Sequence, residues 1–236
     1  MIKSLMCAAV LSAPNKSIYP LAKPKPCPNV VLDCRDFPQG EAWGKDAVKL
    51  ISDWYDSVTS WLATDGVDPF DAAISTTRYA IPKTILVVIK KKIDPPAYAS
   101  GGTITINGEW ITAHPEDLGM VIHELTHVIQ AYPANKADTG WLVEGIADYT
   151  RWWRYEPELH ATKGRTVVDF SKANYTDAYR TTAVWLAWAS RKHHMALVPA
   201  LDAALRRGDD PAPIFVKVTG KSAAELWAEF KQDSGS

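Results

Sequence analysis

One short stretch of the chain combines residue types that can bind a metal ion and move a proton. It is HELTH, residues 123–127, which has the pattern HExxH. On a helix this spacing puts His123 and His127 on one face, one turn apart, where both imidazoles can reach one zinc ion. Glu124 projects beside them and can accept a proton from water without binding the metal itself. The spacing therefore predicts one Zn²⁺ ion held by the two histidines, with Glu124 as general base.

The residues that flank this motif are strongly apolar, which predicts that the helix is buried. Two histidines and a glutamate inside a buried helix must find compensating partners. A hydrogen-bonded polar network without metal is therefore the alternative to a zinc site. The apolar residues concerned are Val121, Ile122, Leu125, Val128 and Ile129.

A third ligand is needed, because catalytic zinc sites keep three protein ligands and leave one position for water. The next predicted helix offers two carboxylates, Glu144 and Asp148, which are four residues apart and share a face. We assign Glu144 as the third ligand and Asp148 as the acceptor of a histidine N–H, since metal-bound imidazoles usually donate their second nitrogen to a carboxylate or carbonyl. The reverse assignment stays open, as does a surface salt bridge or cap for Glu144. The small residues Gly145 and Ala147 favour close packing of a second helix.

The string HELTHVIQ followed by WLVEGIADYTRWW resembles the basic secretory protein family of plants and bacteria, zinc metallopeptidases of the zincin type. The resemblance extends from about residue 30 to residue 232 and includes the segment AYASGGTITI upstream of the motif. It implies a secreted, peptidase-like protein. In that protein zinc is held by His123, His127 and Glu144, with Glu124 as general base and Asp148 in support.

Tyr179 occupies a position that resembles a tyrosine of the same family. A phenol O–H near the metal could donate a hydrogen bond to the oxyanion that develops when a carbonyl is attacked. Tyr179 is therefore a candidate catalytic residue, and packing is its alternative role.

These residues together predict a zinc-dependent metallopeptidase that hydrolyses peptide bonds of a protein or peptide substrate. In this interpretation Glu124 takes a proton from water, and the deprotonated water attacks the substrate carbonyl. Glu124 then delivers the proton to the leaving amine. The alternative is a catalytically silent zincin-fold module that binds a protein or glycan partner. The intact Glu124 argues against it, because a purely structural metal site needs no base.

The spacing of apolar residues predicts the elements that position this site. We expect an α+β, zincin-like fold with a small N-terminal β-sheet packed on the HExxH helix and a mostly helical C-terminal part. The predicted strands are Thr84–Ile89 and Thr103–Ile106. The predicted helices are Glu41–Leu62, Pro115–Ala131 and the segments 141–155, 177–194, 195–207 and 222–232. The segment 195–207 is predicted to end at Gly208.

The N-terminal residues 1–29 are expected to form a leader and proline-rich arm, ahead of one zincin-like metallopeptidase domain over residues 30–236. Lys3 and the apolar run Leu5–Leu11 resemble a short secretory signal, and a shortened N-terminus is the alternative. A signal predicts a secreted or extracytoplasmic protein. In that setting Cys27 and Cys34 could form a disulfide, although two free thiols fit the sequence equally well.

Composition limits the classes of partner. The 236 residues are 47% hydrophobic and 22% charged, which is typical of a globular protein with a sizeable core. The formal net charge is -1, so no basic surplus favours nucleic acid. No apolar run approaches the roughly 18 residues of a transmembrane segment. The sequence gives no indication of the oligomeric state.

Overall fold

A computed structural model of the chain describes residues 27–62, 82–133, 138–157 and 169–234. Nearly all of the predicted leader and proline-rich arm, residues 1–26, lies outside the described residues. The separation of residues 1–29 from the rest therefore stays a prediction. Cys27 and Pro28 lead directly into the first strand, which begins at Asn29, the last residue of the predicted arm.

The described residues form one sheet of four strands, in the order β1-β2-β4-β3. Strands β1, β2 and β4 are parallel, and β3 runs antiparallel to β4 at one edge. The β-branched runs predict β2 and β4 to within a residue or so. β1 has no counterpart in the sequence prediction, because its short run directly follows the proline-rich segment. The strands are β1 (Asn29–Asp33), β2 (Thr84–Lys90), β3 (Ala97–Ser100) and β4 (Thr103–Asn107).

Strands β3 and β4 form a hairpin that is closed by the dipeptide Gly101-Gly102. Gly101 has a φ of 56°, in the left-handed region that glycine adopts without strain. Asn107, at the end of β4, caps a helix. Its side chain accepts hydrogen bonds from two backbone N–H groups in the first turn of helix α2 (Gly108–Ala113). The hairpin leaves β3 as an edge strand.

The helix that carries the HExxH motif, α3, extends over Met120–Gln130 and packs against β3 and β4. The predicted start at Pro115 is wrong by more than a turn. The residues before Met120 make tertiary contacts instead. Asp117 accepts a hydrogen bond from the indole N–H of Trp110 at 3.0 Å and pairs with Arg151. These contacts fix the residues that lead into α3.

Helix α1 (Glu41–Leu62) has the bounds that its apolar spacing predicts. Its buried face, centred on Ala47, Ile51 and Val58, packs against β1, β2 and α3. One part of the core therefore lies between α1, the sheet and α3, with the HExxH motif on its rim, and the core continues among the C-terminal helices. The strands supply Ile85, Val87, Ile89, Ile104 and Ile106 to this core.

From Gly140 onward, every regular element among the described residues is helical. A π-helical stretch, Thr150–Tyr155, continues the first of these helices, and the architecture is α+β. The helix over residues Ala212–Thr219 is not predicted, because two prolines at its start indicate a loop. No helix in the described part of the chain is long and apolar enough to cross a membrane. The helices are α4 (Gly140–Tyr149), α5 (Tyr179–Lys192), α6 (Leu197–Arg207), α7 (Ala212–Thr219) and α8 (Ala223–Asp233).

Cys27 and Cys34 are both free thiols, so the possible disulfide is not formed in this structure. The proximity of the two cysteines in sequence suggests a bridge across a turn, but strand β1 lies between them. Its five extended residues span four steps of about 3.3 Å, so the two ends of β1 lie about 13 Å apart, well beyond the roughly 6 Å Cα separation of a disulfide.

Candidate metal centre

Three side chains bring one donor atom each to a single point above α3. His123 and His127 project from one face of α3, and Glu144 reaches them from α4. The His123 Nε2 atom lies 3.1 Å from His127 Nε2 and 3.1 Å from Glu144 Oε2, and His127 Nε2 lies 3.4 Å from Glu144 Oε2. Ligands at about 2.0–2.1 Å around a tetrahedral zinc ion are separated by about 3.3 Å. The spacing of the three atoms therefore suits one zinc ion.

The other nitrogen of each imidazole has an acceptor, which fixes the tautomers. His123 Nδ1 donates to Asp148 Oδ1 at 2.8 Å, and His127 Nδ1 donates to Gln130 Oε1 at 2.8 Å. The amide of Gln130 is oriented by its Nε2, which donates to the carbonyl of Val143 at 3.2 Å. Neutral imidazoles held in this way direct the lone pairs of both Nε2 atoms at the same point, and those lone pairs repel each other unless a cation or a proton lies between them.

Without a metal ion, protonation of a histidine supplies that cation. Burial by itself lowers the pKa of His123, but the carboxylates of Asp148 and Glu144 raise it to about 10. Burial by itself raises the pKa of Glu144, but its hydrogen bonds to His123 and His127 lower it to about 2. The cluster therefore demands positive charge at its centre, which a proton or a divalent cation can provide.

Glu124 lies beside this cluster and is not part of it. Its side chain is buried, and among the described residues its Oε2 atom has no hydrogen-bond partner. Burial raises the pKa of Glu124, while the neighbouring histidines and the backbone N–H of Ala99 on β3 lower it. A buried carboxylate oxygen without a partner is expensive, so a polar ligand in the cleft would stabilise it.

Asp148 is held from two sides. Its Oδ1 atom accepts from His123, and its Oδ2 atom lies 3.7 Å from Nε of Arg180. The guanidinium of Arg180 stacks on Trp152, 3.7 Å from the ring centroid. These contacts lock the carboxylate against the imidazole that it orients. The structure thus places Glu144 at the donor cluster and Asp148 behind it, the arrangement that the sequence favours.

Tyr179 stands over the cluster on the solvent side. Its ring is nearly parallel to that of His123, with 6.3 Å between centroids, and 56% of the residue is exposed. The charge of Glu144, with partial burial, raises the pKa of its phenol, which favours the protonated, hydrogen-bond-donating form. Tyr179 and the preceding Ala178 both have positive φ values, 43° and 64°, a strained backbone for residues other than glycine.

These side chains line one open cavity of about 860 Å³. Strand β3 forms one wall, and the end of α3 with Tyr132 and Leu205 forms another. A cavity of this size accommodates several residues of an extended peptide or a comparable ligand. The six predicted site residues, His123, Glu124, His127, Glu144, Asp148 and Tyr179, all line it.

Three residues near the centre are absent from the sequence prediction. Gln130, which orients His127, lies three residues after it on the same helix, a spacing that could have indicated the contact. Arg180 and Ala178 act through the tertiary structure, and no local pattern marks them. The small residue Gly145 does have the predicted role, because Thr182 of α5 lies directly against it.

The chain also matches a known protein family. Residues 41–230 match a family model described as BSP, peptidase of plants and bacteria. No curated protein and no solved structure matches the chain. The matched range includes the HELTH motif, the EGIADY string and Tyr179, and it spans most of the chain. The chain therefore belongs to this family of plant and bacterial peptidases, the basic secretory protein family.

Proposed function

We propose that the protein is a zinc-dependent metallopeptidase that hydrolyses peptide bonds. The observation that carries this proposal is the donor cluster: His123 Nε2, His127 Nε2 and Glu144 Oε2 at 3.1–3.4 Å from one another, with both Nδ1 atoms engaged elsewhere. A metal-free polar network explains this arrangement less well, because it must hold a charged, protonated His123 in a buried position, whereas a zinc ion supplies the positive charge with both imidazoles neutral. One oxygen and two nitrogens are a common ligand set for catalytic zinc.

The residues around the cluster then have separate tasks. The three donors would hold a zinc ion, which would supply Lewis acidity for a carbonyl and would make a water molecule more acidic. The unpartnered Oε2 of Glu124 accepts the proton of that water and returns it to the leaving amine. Tyr179, whose phenol is kept protonated by nearby carboxylates, donates a hydrogen bond to the developing oxyanion. Asp148 and Gln130 hold the imidazoles in the tautomer that leaves Nε2 available.

The edge strand supports a peptide as the substrate. The N–H of Asn107 donates to the carbonyl of Pro96, so the backbone of Pro96 faces β4. In an antiparallel pair every second residue faces the partner strand, and the backbone groups of Ala97 and Ala99 therefore point away from β4 and towards the cleft. An extended peptide could pair with that edge and lie across the donor cluster. The small sheet against the HExxH helix, with an antiparallel edge strand beside the site, is the basis on which we assign the fold to the zincin type.

The second candidate is a zincin-fold module that binds a protein or glycan partner without catalysis. The open cleft with its aromatic side chains, Trp110, Tyr132 and Tyr179, is compatible with it. The buried and unpartnered oxygen of Glu124 favours the enzyme, because a module that only binds has no use for a costly buried carboxylate.

The test combines metal analysis with a cleavage screen on a proteome-derived peptide mixture, with and without chelator. We expect one zinc ion per chain and chelator-sensitive cleavage. Glu144→Gln should lose the metal, whereas Glu124→Gln should keep it and lose about 10²- to 10⁴-fold in turnover. Glu109→Gln is the matched control, since Glu109 is an exposed carboxylate paired with Lys92 at 3.2 Å.

Each other outcome has a definite meaning. Bound zinc without cleavage of any peptide would favour the binding module. A wild-type protein that binds no zinc would favour the metal-free polar network. Undiminished turnover in Glu124→Gln would assign the base to another residue.

A further inference from the structure

The C-terminal end of the metal helix α3 is held by a side chain from a distant element. The helix ends at Ala131, whose φ of 39° turns the chain into the left-handed region. The last carbonyl groups of a helix have no partner within it. Two of them, those of Ile129 and Gln130, accept hydrogen bonds from Nη1 of Arg206 on α6, at 2.8 Å and 2.9 Å.

Arg206 is itself fixed by a buried carboxylate. Its Nε atom donates to Asp202 Oδ2 at 2.7 Å and its Nη2 atom to Asp202 Oδ1 at 3.1 Å, a bidentate pair. The two side chains are only 6% and 1% exposed. The phenol of Tyr132, just beyond the end of α3, also donates to Asp202 Oδ1, at 2.6 Å. We call this pair of residues, Asp202 and Arg206, the α6 clamp.

The α6 clamp contacts Gln130, the residue of α3 that connects the end of the helix to the donor atoms. Arg206 binds the backbone carbonyl of Gln130, and the side chain of Gln130 accepts the Nδ1–H of His127 at 2.8 Å. The same amide donates to Val143, the neighbour of Glu144 on α4. Through Gln130 the helix end is thus joined to one histidine and to the helix that carries the carboxylate donor.

We propose that the α6 clamp positions His127 for metal binding by fixing the backbone from which Gln130 reaches it. The inference rests on the proposed metal site but not on peptidase activity. Arg206 is not among the residues that line the cavity of the donor atoms and Glu124, so it is a positioning residue. A buried ion pair is costly to place in a protein interior, and its role here is the geometry of the helix end rather than stability alone.

The experiment replaces the clamp by apolar residues of similar size, Asp202→Leu with Arg206→Met, because such exchanges of buried ion pairs often leave a protein folded. Zinc affinity is measured on the purified full chain by competition with a chromogenic chelator at fixed pH. We expect the unfolding temperature without zinc to change little and the Kd for zinc to rise about 10-fold or more, as for other partners that orient a ligand. The control exchanges the neighbouring pair, Arg207→Met with Asp209→Leu, which is more exposed than the clamp, and should leave the Kd unchanged.

A double-mutant cycle with Gln130→Ala separates positioning from a general loosening of the fold. If the clamp acts through Gln130, the two changes together should weaken zinc binding little more than Gln130→Ala alone. Fully additive losses would overturn the proposal. So would a wild-type Kd in the clamp variant.

Should the apolar pair fail to fold, Arg206→Lys gives the answer, because lysine keeps the charge but cannot satisfy Asp202 and both carbonyls at once. An intermediate Kd supports the proposal, and a wild-type Kd overturns it. A wild-type protein that binds zinc without cleaving peptides contradicts the proposed function and leaves the clamp standing. A wild-type protein that binds no zinc overturns both.

Discussion

The contact between α4 and α5 leads to a prediction about Gly145, the residue between the donor Glu144 and the buried Ile146. A Cβ atom on Gly145 would lie 2.2 Å from Cγ2 and 2.6 Å from Cβ of Thr182. Ordinary contact begins at 3.4 Å, so the helices would have to separate by about 1.2 Å. Thr182 cannot rotate away cheaply, because it is fully buried and its hydroxyl donates to the carbonyl of Tyr175 at 2.6 Å.

We therefore expect Gly145→Ala to destabilise the protein and to weaken its metal site. Alanine gains about 1 kcal/mol over glycine in helix propensity, whereas overpacking of this kind costs about 1–3 kcal/mol or more. The difference between the two is a net loss of up to about 2 kcal/mol in the free energy of unfolding. A shift of α4 also moves Glu144 and Asp148, and zinc sites tolerate deviations of only about 0.2 Å in ligand distance. Zinc affinity should therefore fall further than stability alone requires.

Urea denaturation of the chelator-treated protein gives the change in stability, and competition with a chromogenic chelator gives the zinc affinity. Gly140→Ala is the matched control on the same helix, because its Cβ would meet only one side-chain oxygen, at 3.9 Å. It should leave both quantities at the wild-type level or raise stability slightly. If Gly145→Ala were as stable as Gly140→Ala and bound zinc equally well, the close approach of α4 and α5 could not be what positions Glu144.

Three further predictions concern the surroundings of the donor cluster. Asp148→Asn leaves all three donors in place and should raise the Kd for zinc about 10- to 100-fold, and a metal-free Asp148→Asn protein would instead make Asp148 a ligand. In the metal-free protein the pKa of His123 is about 10 against 6.5 when unperturbed, and that of Glu144 about 2 against 4.5. Thermal unfolding after chelation should therefore show that stability is lost as the pH rises from about 6.5 towards 10 and as it falls from about 4.5 towards 2. Added zinc should stabilise the protein increasingly as the pH rises through neutrality. A chelated protein that gained stability in the alkaline range would contradict this prediction. Ala178→Gly relieves a positive φ and should preserve or raise the unfolding temperature, whereas Ala183→Gly in the buried face of α5 should lower it. Equal losses of unfolding temperature in the two variants would argue against strain at Ala178.

Much of the site could be predicted from local pattern because its parts lie on two helices. The spacing of His123 and His127 requires a common face once the segment is helical, and the same is true of Glu144 and Asp148. The bounds of α1 followed from its apolar spacing, and the end of α6 at Gly208 followed from the glycine stop signal. These features depend on contacts within a turn or two of the chain.

Other features required the tertiary structure. The sequence left open which of Glu144 and Asp148 faces the histidines, and the packing of α4 on α5 through Gly145 turns Glu144 towards the donor atoms and Asp148 behind His123. The start of α3 was predicted too early, because Asp117 binds Trp110 and Arg151 instead of continuing the helix.

By itself the sequence indicated the family, the candidate donor residues and the helices on which they lie, because periodicity and motif spacing are local properties of the chain. Only the tertiary structure decided that β1 separates Cys27 from Cys34, and that Gln130 and Arg206 hold the end of the metal helix. Such contacts join residues far apart in the chain, and their partners are selected by how whole elements pack. No local pattern encodes that choice, since a buried arginine or a glutamine at a helix end has many possible partners until the fold leaves one within hydrogen-bonding distance.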